Sequence, residues 1–382
     1  MKKKVFNALG LMTGTSIDGI DLSLIKSDGI AEFTSILNNF YEFDNNLRGK
    51  IIDLRDQLNS IEDLKKYSSD LSKLDREITL FYARLINDFF KNQTHDIDFV
   101  GLHGQTMFHD AEKKISLQLG DGKLLSQLTK KIIINNFRQN DIDNGGQGAP
   151  LVPIFHRLIS NIINKKFMTN YPINILNIGG ISNVTKIIDE KISSYENFKA
   201  YDIGPGSCLI DEWVRKNSNK KFDDNGELAR AGQVNDLIFN QAVENFSYTS
   251  YDKSLDIKNY DISFVRGLSL EDGCATITKF TAFLIAEGLR MVSNQDNLIP
   301  KINILCGGGR KNKSLIDYLK FFLQDSSIKF TDIDEYELDG DYIESQAFGY
   351  LSIRSFLNLP ISFPHTTRCK SPTLGGKINK NF

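Results

Sequence analysis

Val5-Phe6-Asn7-Ala8-Leu9-Gly10-Leu11-Met12-Thr13-Gly14-Thr15-Ser16-Ile17-Asp18-Gly19-Ile20-Asp21-Leu22-Ser23-Leu24-Ile25 is the stretch on which the fold turns. An apolar run ends in a turn bounded by glycines. A second run follows in which Ile20, Leu22 and Leu24 alternate with Asp21 and Ser23, the two-residue period of a strand. The pattern predicts a β-hairpin. Its turn carries Gly14 and Gly19, which let backbone N–H groups approach a ligand, the hydroxyls of Thr15 and Ser16, and the carboxylate of Asp18. Those are the parts of a phosphate cradle with a place for a metal ion beside it. A tight turn rich in small polar residues is the plainer reading of this stretch taken alone.

The pattern returns in the second half of the chain. Ile173-Asn174-Ile175-Leu176-Asn177-Ile178 reads as a strand, Gly179-Gly180 turns it, and Ser182 to Ile187 leads back, so the two hairpins look like a weak internal duplication. Phe198 to Ser207 reads as strand, turn and helix start, with Leu209, Ile210, Trp213 and Val214 continuing the helix. Asp202 falls at the C-terminal end of that strand, where α/β folds place ligands, or else serves as a turn or N-cap carboxylate. Ile302-Asn303-Ile304-Leu305-Cys306 reads as a buried strand meeting Gly307-Gly308-Gly309, with a helix from Ser314 to Leu323. Glycines there let the backbone lie flat against a base or ribose. Neither G-x-G-x-x-G nor G-x-x-x-x-G-K-[ST] occurs, which disfavours a typical dehydrogenase and a P-loop NTPase.

Between the hairpins, a polar, Asn-rich connection precedes a helical period from about Ile61 to Asn92, carried by Leu64, Tyr67, Leu71, Leu74, Ile78, Phe81, Leu85 and Phe89. Asp98 to Thr106 reads as a strand entering a Gly turn; the spacing of His103 and His109 matches no metal motif and leaves structural or substrate-contacting roles. Strands at Ile115–Leu119 and Ile132–Asn135, with a helix near Leu124 to Thr129, complete an α/β unit. Asn136 to Pro153 holds three glycines, two prolines and Arg138 near Asp141, a linker by composition or a shaped loop for a polyhydroxylated or carboxylated ligand. The first domain boundary is placed here, giving domains 1–137 and 138–344, with a segment of about 345–382 packing back on the first. Later helices are expected at Asp272 to Val292 and Ile343 to Leu357, the last with Glu344 near its start.

With 382 residues, 41% hydrophobic and 25% charged, the chain is long enough for two domains with separate cores. A net charge of −2 gives no general attraction to nucleic acid or to an anionic membrane, so neither is expected as a partner. Cys208, Cys274, Cys306 and Cys369 are far apart without a C-x-x-C pair, which points to reduced thiols and a cytoplasmic protein. Asn7, Gly10, Thr13 and Gly14 interrupt the apolar run after Lys4, so no signal peptide is expected, and no stretch approaches the ~18 apolar residues of a spanning helix.

The two Gly hairpins and the Gly-Gly-Gly strand end resemble the two phosphate loops and the adenosine loop of the superfamily containing actin, hexokinase and acetate kinase. Within it, Gly10 to Gly19, His103-Gly104-Gln105-Thr106, Gly145 to Pro153, Leu176 to Thr185 and Cys306-Gly307-Gly308-Gly309 are similar to the motifs of the anhydro-N-acetylmuramic acid kinases. They run in unchanged order from residue 5 to about residue 376. The resemblance implies an α/β fold of two ribonuclease-H-like, actin/hexokinase-type domains around a central cleft. It also implies an ATP- and Mg²⁺-dependent kinase that opens 1,6-anhydro-N-acetylmuramic acid with water and phosphorylates O6, giving N-acetylmuramic acid 6-phosphate in cell-wall recycling.

By the same resemblance, Asp202 is the general base. An ionised carboxylate can take a proton from water attacking C1, and the leaving O6 is captured by the γ-phosphoryl group, so no second carboxylic acid is needed. Gly14, Thr15, Ser16 and Gly19, with Ile17, Ile20 and Asp21 alongside, would hold phosphates. Asp18 would orient Mg²⁺ through water, Gly179 and Gly180 would take the far side of the triphosphate, and Gly307, Gly308 and Gly309 the adenosine. Gln105, Arg138, Asp141, Gln147 and Glu344 would bind the sugar, Arg138 being the natural partner of its lactyl carboxylate. Homodimerisation is a family-level expectation. Where the family usually carries Arg-Arg-Arg-Asp, this chain has Arg138-Gln139-Asn140-Asp141, and Ser207 stands where Asn is common. Competing readings are another sugar or carboxylate kinase of the superfamily and an actin-like assembly protein; the Asp202 turn and the Gln147 loop argue against the second, since filaments need no sugar pocket.

Overall fold

Strand β1 (Phe6–Met12) and strand β2 (Gly19–Ser27) form the expected hairpin, pairing Leu9 with Leu24 and Leu11 with Leu22. The computed structural model describes residues 4–14, 16–91, 95–191, 194–246, 255, 260–294, 298–324 and 328–382. The connection expected after the hairpin is instead a third strand, β3 (Phe33–Glu42), antiparallel to β2, and a helix, Asn45–Arg55, whose N-cap Asp44 accepts from the Leu47 N–H at 2.8 Å. As an edge strand β3 is only half-buried on either face, so it tolerates polar residues such as Asn38 and Asn39 and lacks the alternation that would reveal it. The long helical period divides at Tyr67 into Ile61–Lys66 and Ser68–Lys91; Asn92 lies outside the described residues.

β4 (Phe99–Leu102) then runs parallel to β1, β5 (Gln105–Asp110) and β6 (Ile115–Leu119) make a separate hairpin, and β7 (Ile132–Asn135) runs parallel to β4. In the second half, β8 (Ile173–Ile178), β9 (Ile181–Ile187) and β10 (Phe198–Pro205) form an antiparallel meander, and β11 (Ile302–Cys306) and β12 (Lys329–Asp332) extend it in parallel from β8. β13 (Lys377–Asn379) closes the chain against β7. The sheet orders are β3-β2-β1-β4-β7-β13 and β10-β9-β8-β11-β12. Apart from β13 they share one pattern, third-second-first-fourth-fifth strand with the second reversed, which is the ribonuclease-H-like α/β topology.

The chain divides into two compact units, Met1–Ile159 with Tyr342–Phe382, and Ser160–Asp341. Residues 138–159 thus lie in the first unit and not at the start of the second. Two long-range bonds hold them there: Arg138 bonds His103, and Asp141 bonds Thr367. In this unit the face of β1 bearing Leu9 and Leu11 packs with Ile78, Tyr82 and Ile86 of the helix Ser68–Lys91, each such buried side chain contributing about 1.5–3 kcal/mol. Gly10 and Gly101 are neighbours in register on the other face. A Cβ on Gly10 would lie 1.9 Å from the Ser345 carbonyl and one on Gly101 2.3 Å from that of Phe348, so bare backbone at both lets the helix Ile343–Phe356 lie directly on the sheet.

The second unit packs Leu176, Ile178 and Leu305 of its sheet with Ala282, Ile285 and Leu289 of the helix Leu270–Asn294 and Leu315 of the helix Lys313–Phe322. Asn174 donates to Asn303 at 2.9 Å inside this core, and a slip of β11 against β8 by one residue would break that bond and turn Asn303 to the other face. The four cysteines are buried, and among the described residues none forms a disulfide. Among the described residues no helix is long and apolar enough to cross a membrane.

Candidate active site

In the first unit the turn between β1 and β2 separates its glycines by role. A Cβ on Gly19 would fall 2.3 Å from the Tyr41 carbonyl and 2.6 Å from the Phe40 ring, so this glycine admits β3; among the described residues a Cβ on Gly14 would meet only Ser16 Oγ, at 3.7 Å. The backbone at Gly14 is the open one. Thr15 lies outside the described residues, and Ser16 is exposed. Ile17 and Ile20 have fully buried side chains in the core, so a ligand could meet only their backbone, and Asp21 is half-buried in β2 opposite Phe40. Ile17 adopts a left-handed φ of 56°, and its carbonyl accepts from Arg48 Nε at 2.9 Å. Arg48 Nη2 also reaches Asp18 Oδ1 at 3.3 Å. This partner comes from the helix Asn45–Arg55, which no local pattern connects with the turn.

The C-terminal ends of β1 and β4 are tied together by Thr13 Oγ1, which donates to the Gly104 carbonyl at 2.7 Å. His103 is buried with its ring against Phe348. Its Nε2 faces Arg138 Nε at 3.1 Å and Nη2 at 2.9 Å. Arginine offers only donors, so Nε2 accepts and the imidazole proton sits on Nδ1. Burial, and then the Arg138 charge, hold His103 well below the usual histidine range and keep it neutral. Arg138 Nη1 donates to the Gly148 carbonyl at 2.7 Å. Gln105, the first residue of β5, is buried; its Nε2 donates to the Thr106 carbonyl at 3.2 Å, and among the described residues its Oε1 has no partner.

Asp141 is buried and builds the glycine loop. Its Oδ2 accepts from the Gly148 N–H at 2.7 Å, its Oδ1 from Thr367 Oγ1 at 2.6 Å, and a Cβ on Gly146 would lie 2.1 Å from the same carboxylate. Half-buried Gln147 is pinned by its backbone N–H to the Thr367 carbonyl at 2.7 Å. Gln139 accepts from the Ser116 N–H at 3.4 Å and Asn140 donates to the Leu374 carbonyl at 2.5 Å. Glu344 occupies the first turn of the helix Ile343–Phe356, half-buried.

In the second unit the Gly179-Gly180 turn is coupled to the helix that follows β10. The Gly179 carbonyl accepts from the Ser207 N–H at 2.8 Å and the Gly180 carbonyl from the Gly206 N–H at 2.9 Å. A Cβ on Gly206 would lie 2.0 Å from the Gly179 oxygen, which makes a side chain there impossible without moving the turn. Ser207 bonds Asp211 at 2.8 Å. Asp202 is not at the end of its strand. It sits in mid β10, at the irregularity where pairing with β9 shifts between Asp202 and Gly204, and its Oδ2 accepts from the Leu255 N–H at 2.9 Å. Such a bulge re-aims a side chain out of the pleat.

At the end of β11 the three glycines divide in the same way. A Cβ would lie 2.3 Å from Asn177 Oδ1 at Gly307 and 2.3 Å from Ile178 Cγ2 at Gly309, whereas at Gly308 it would meet nothing within 4 Å among the described residues. Two glycines seat the loop on β8 and the third presents open backbone. Arg310, which the motif reading passed over, is buried beside Asp332, Asp334 and Asp341. Burial alone would raise the Asp341 carboxyl, but Lys311 and Arg310 outweigh it and hold it below the usual carboxylate range.

The model of a family described as Anhydro-N-acetylmuramic acid kinase matches residues 6–381. The chain belongs to the anhydro-N-acetylmuramic acid kinase family. The anhydro-N-acetylmuramic acid kinase of Pelagibacter ubique is 47% identical over 382 residues, covering 100% of both chains. Those of Brucella canis and Agrobacterium fabrum are 34% and 32% identical, covering 97% of each chain and 98% and 99% respectively. Among solved structures, an activator of 2-hydroxyisocaproyl-CoA dehydratase from Clostridium difficile with bound ADPNP is 11% identical with a TM-score of 0.42, covering 92% of this chain and 96% of its own, a likeness too slight to argue from. As a member of the anhydro-N-acetylmuramic acid kinase family this protein is an enzyme, a kinase, and it uses ATP.

Proposed function

We propose that this kinase converts 1,6-anhydro-N-acetylmuramic acid, ATP and water to N-acetylmuramic acid 6-phosphate and ADP, within cell-wall recycling and in the cytoplasm. The observation that carries the proposal is the family match over residues 6–381. In the step proposed, water attacks C1 and gives its proton to Asp202 while the C1–O6 bond breaks. O6 takes the γ-phosphoryl group and the bond to the β-phosphate breaks, releasing ADP. One carboxylate then suffices where ordinary glycoside hydrolysis needs two.

The other roles follow the chemistry of each group. Gly14 and the Gly179-Gly180 turn would offer backbone to phosphates, with Thr15, Ser16, Ile17, Gly19, Ile20 and Asp21 completing the first loop. Gly307, Gly308 and Gly309 would take the adenosine, and Gln105, Arg138, Asp141, Gln147 and Glu344 the sugar. Magnesium keeps several waters and binds mainly through substrate phosphates, so a single carboxylate nearby fits it, and Asp18 would orient its water. When bound, the ion neutralises charge on the transferring phosphoryl group. A homodimer belongs to the same proposal and is checked by light scattering.

The test is ADP release with Mg-ATP and 1,6-anhydro-N-acetylmuramic acid in ¹⁸O-water. Sugar-dependent ADP with the label at C1 is expected. Turnover only with a simple hexose or acetate would overturn the substrate, and sugar-independent polymerisation with ATP would move the protein to the assembly class.

A further inference from the structure

Arg310 directly follows the glycine triplet, and its side chain is 1% exposed although it carries a full charge. Nε donates to Asp332 Oδ1 at 3.0 Å, and Nη2 donates to Asp334 Oδ1 at 3.1 Å and Oδ2 at 2.8 Å. Nη1 bonds Asp341 Oδ1 and reaches the Gly307 carbonyl at 3.2 Å. These are five hydrogen bonds, as many as a guanidinium has N–H donors.

The far side of this cluster returns to the same glycine. Asp334 Oδ1 also accepts from the Gly340 N–H at 2.8 Å, and the Gly340 carbonyl accepts from the Gly307 N–H at 3.1 Å. Gly307 is therefore held at both ends of its residue, N–H by Gly340 and C=O by Arg310. It needs holding, because φ 80° and ψ 161° is a conformation that glycine alone adopts at low cost and that glycine's own freedom does not select. Gly340 leaves no room for a side chain, since a Cβ there would fall 2.6 Å from Arg310 Nε. The conformation so fixed puts Gly308, the glycine with open space above it, next in the chain.

We propose that Arg310 is a positioning residue for the nucleotide, acting with Asp332, Asp334 and Asp341 as a clasp that sets the shape in which Gly307 to Gly309 receive adenosine. The proposal rests on the reading of that loop as the adenosine site. The carboxylates are 37%, 51% and 35% exposed, so water can resolvate them if the clasp opens. Losing Arg310 therefore costs the loop its shape more than it costs the fold its stability. Lysine cannot replace it, because one ammonium does not span three carboxylates and a carbonyl in fixed directions.

The experiment compares the unmodified enzyme with Arg310→Lys and Asp334→Asn, measuring kcat, KM for ATP, KM for the anhydro sugar and inhibition by inorganic tripolyphosphate. In Arg310→Lys the KM for ATP rises about tenfold or more. Its kcat, sugar KM and tripolyphosphate inhibition constant stay within twofold, since tripolyphosphate carries no adenosine. Asp334→Asn shifts ATP in the same direction by less and gives the answer if Arg310→Lys does not fold. An ATP KM within twofold in both folded variants overturns the proposal, as does an equal loss of tripolyphosphate and ATP. If the unmodified enzyme releases no ADP with the sugar, the kinase reading fails and the clasp's role falls with it; if it turns over normally and only the variants are unmoved, the clasp alone is wrong.

Discussion

Arg138 and His103 form a one-way pair: both Nε and Nη2 of the arginine donate to a single imidazole nitrogen, at 3.1 and 2.9 Å. The histidine stays neutral and the guanidinium is oriented by it, with Gly148 fixing its third contact at 2.7 Å. Arg138→Lys keeps the charge and loses this geometry. It is expected to raise the KM for the sugar by about tenfold or more and leave the KM for ATP unchanged. The stranded acceptors should lower stability by about 1–3 kcal/mol. Steady-state kinetics and urea unfolding check both halves, and an unchanged sugar KM would remove Arg138 from carboxylate recognition.

Asp202→Asn keeps the shape of the side chain and removes its basicity. A positioned general base is worth about 10²–10⁴ in rate, so kcat should fall by that factor with the KM for ATP unaltered. A variant retaining full turnover would place the base elsewhere.

The glycines of the first turn should separate by assay. Gly19→Ala forces a methyl to within 2.3 Å of the Tyr41 carbonyl, which is backbone and cannot swing away, and a loss of about 1–3 kcal/mol in unfolding free energy is expected. Gly14→Ala meets no such contact, so stability should hold within about 0.5 kcal/mol while the KM for ATP rises. Equal melting temperatures for the two variants would contradict the assignment.

Two buried histidines make stability depend on pH. His103 is held well below its ordinary range, and burial pushes His156 down to about 3. Both are neutral in the folded chain, whereas the unfolded chain protonates them below about 6.5. The unfolded state thus binds more protons as the solution is acidified. Stability is full above pH 6.5 and falls below it, by up to ~1.4 kcal/mol per pH unit for each histidine. Urea midpoints between pH 7.5 and 5 should show this slope, and His156→Gln should reduce it; an unaltered slope would mean that other groups carry the effect.

The motifs legible in the chain are those whose physics is local. β1, β2, β8, β9 and β11 show through alternation or continuous apolar runs closed by glycines, and Gly14 and Gly308 follow β1 and β11; Asp202 was legible as part of the strand β10 but lies in its middle and not at its end. β3 was hidden because a half-exposed edge strand needs no alternation, and β13 because three residues are too few for a period. Ile17 and Ile20 share the turn's sequence with Gly14, Ser16 and Asp18, yet their side chains belong to the core, a distinction made by which face each presents and not by spacing.

By itself, then, the amino-acid sequence determined the duplicated α/β pattern and the glycine turns, because period and turn chemistry act over a few residues. Only the tertiary structure decided which glycines are spacers and which are open, since that depends on Ser345, Phe348, Tyr41 and Ile178 arriving from elsewhere. It likewise decided that Arg310 meets Asp332, Asp334 and Asp341, 22 to 31 residues away, and that Arg138 meets His103 across 35. Charges and donors far apart in the chain have no period to betray them. Their pairing is set by how the strands cross over and where the connecting segments return.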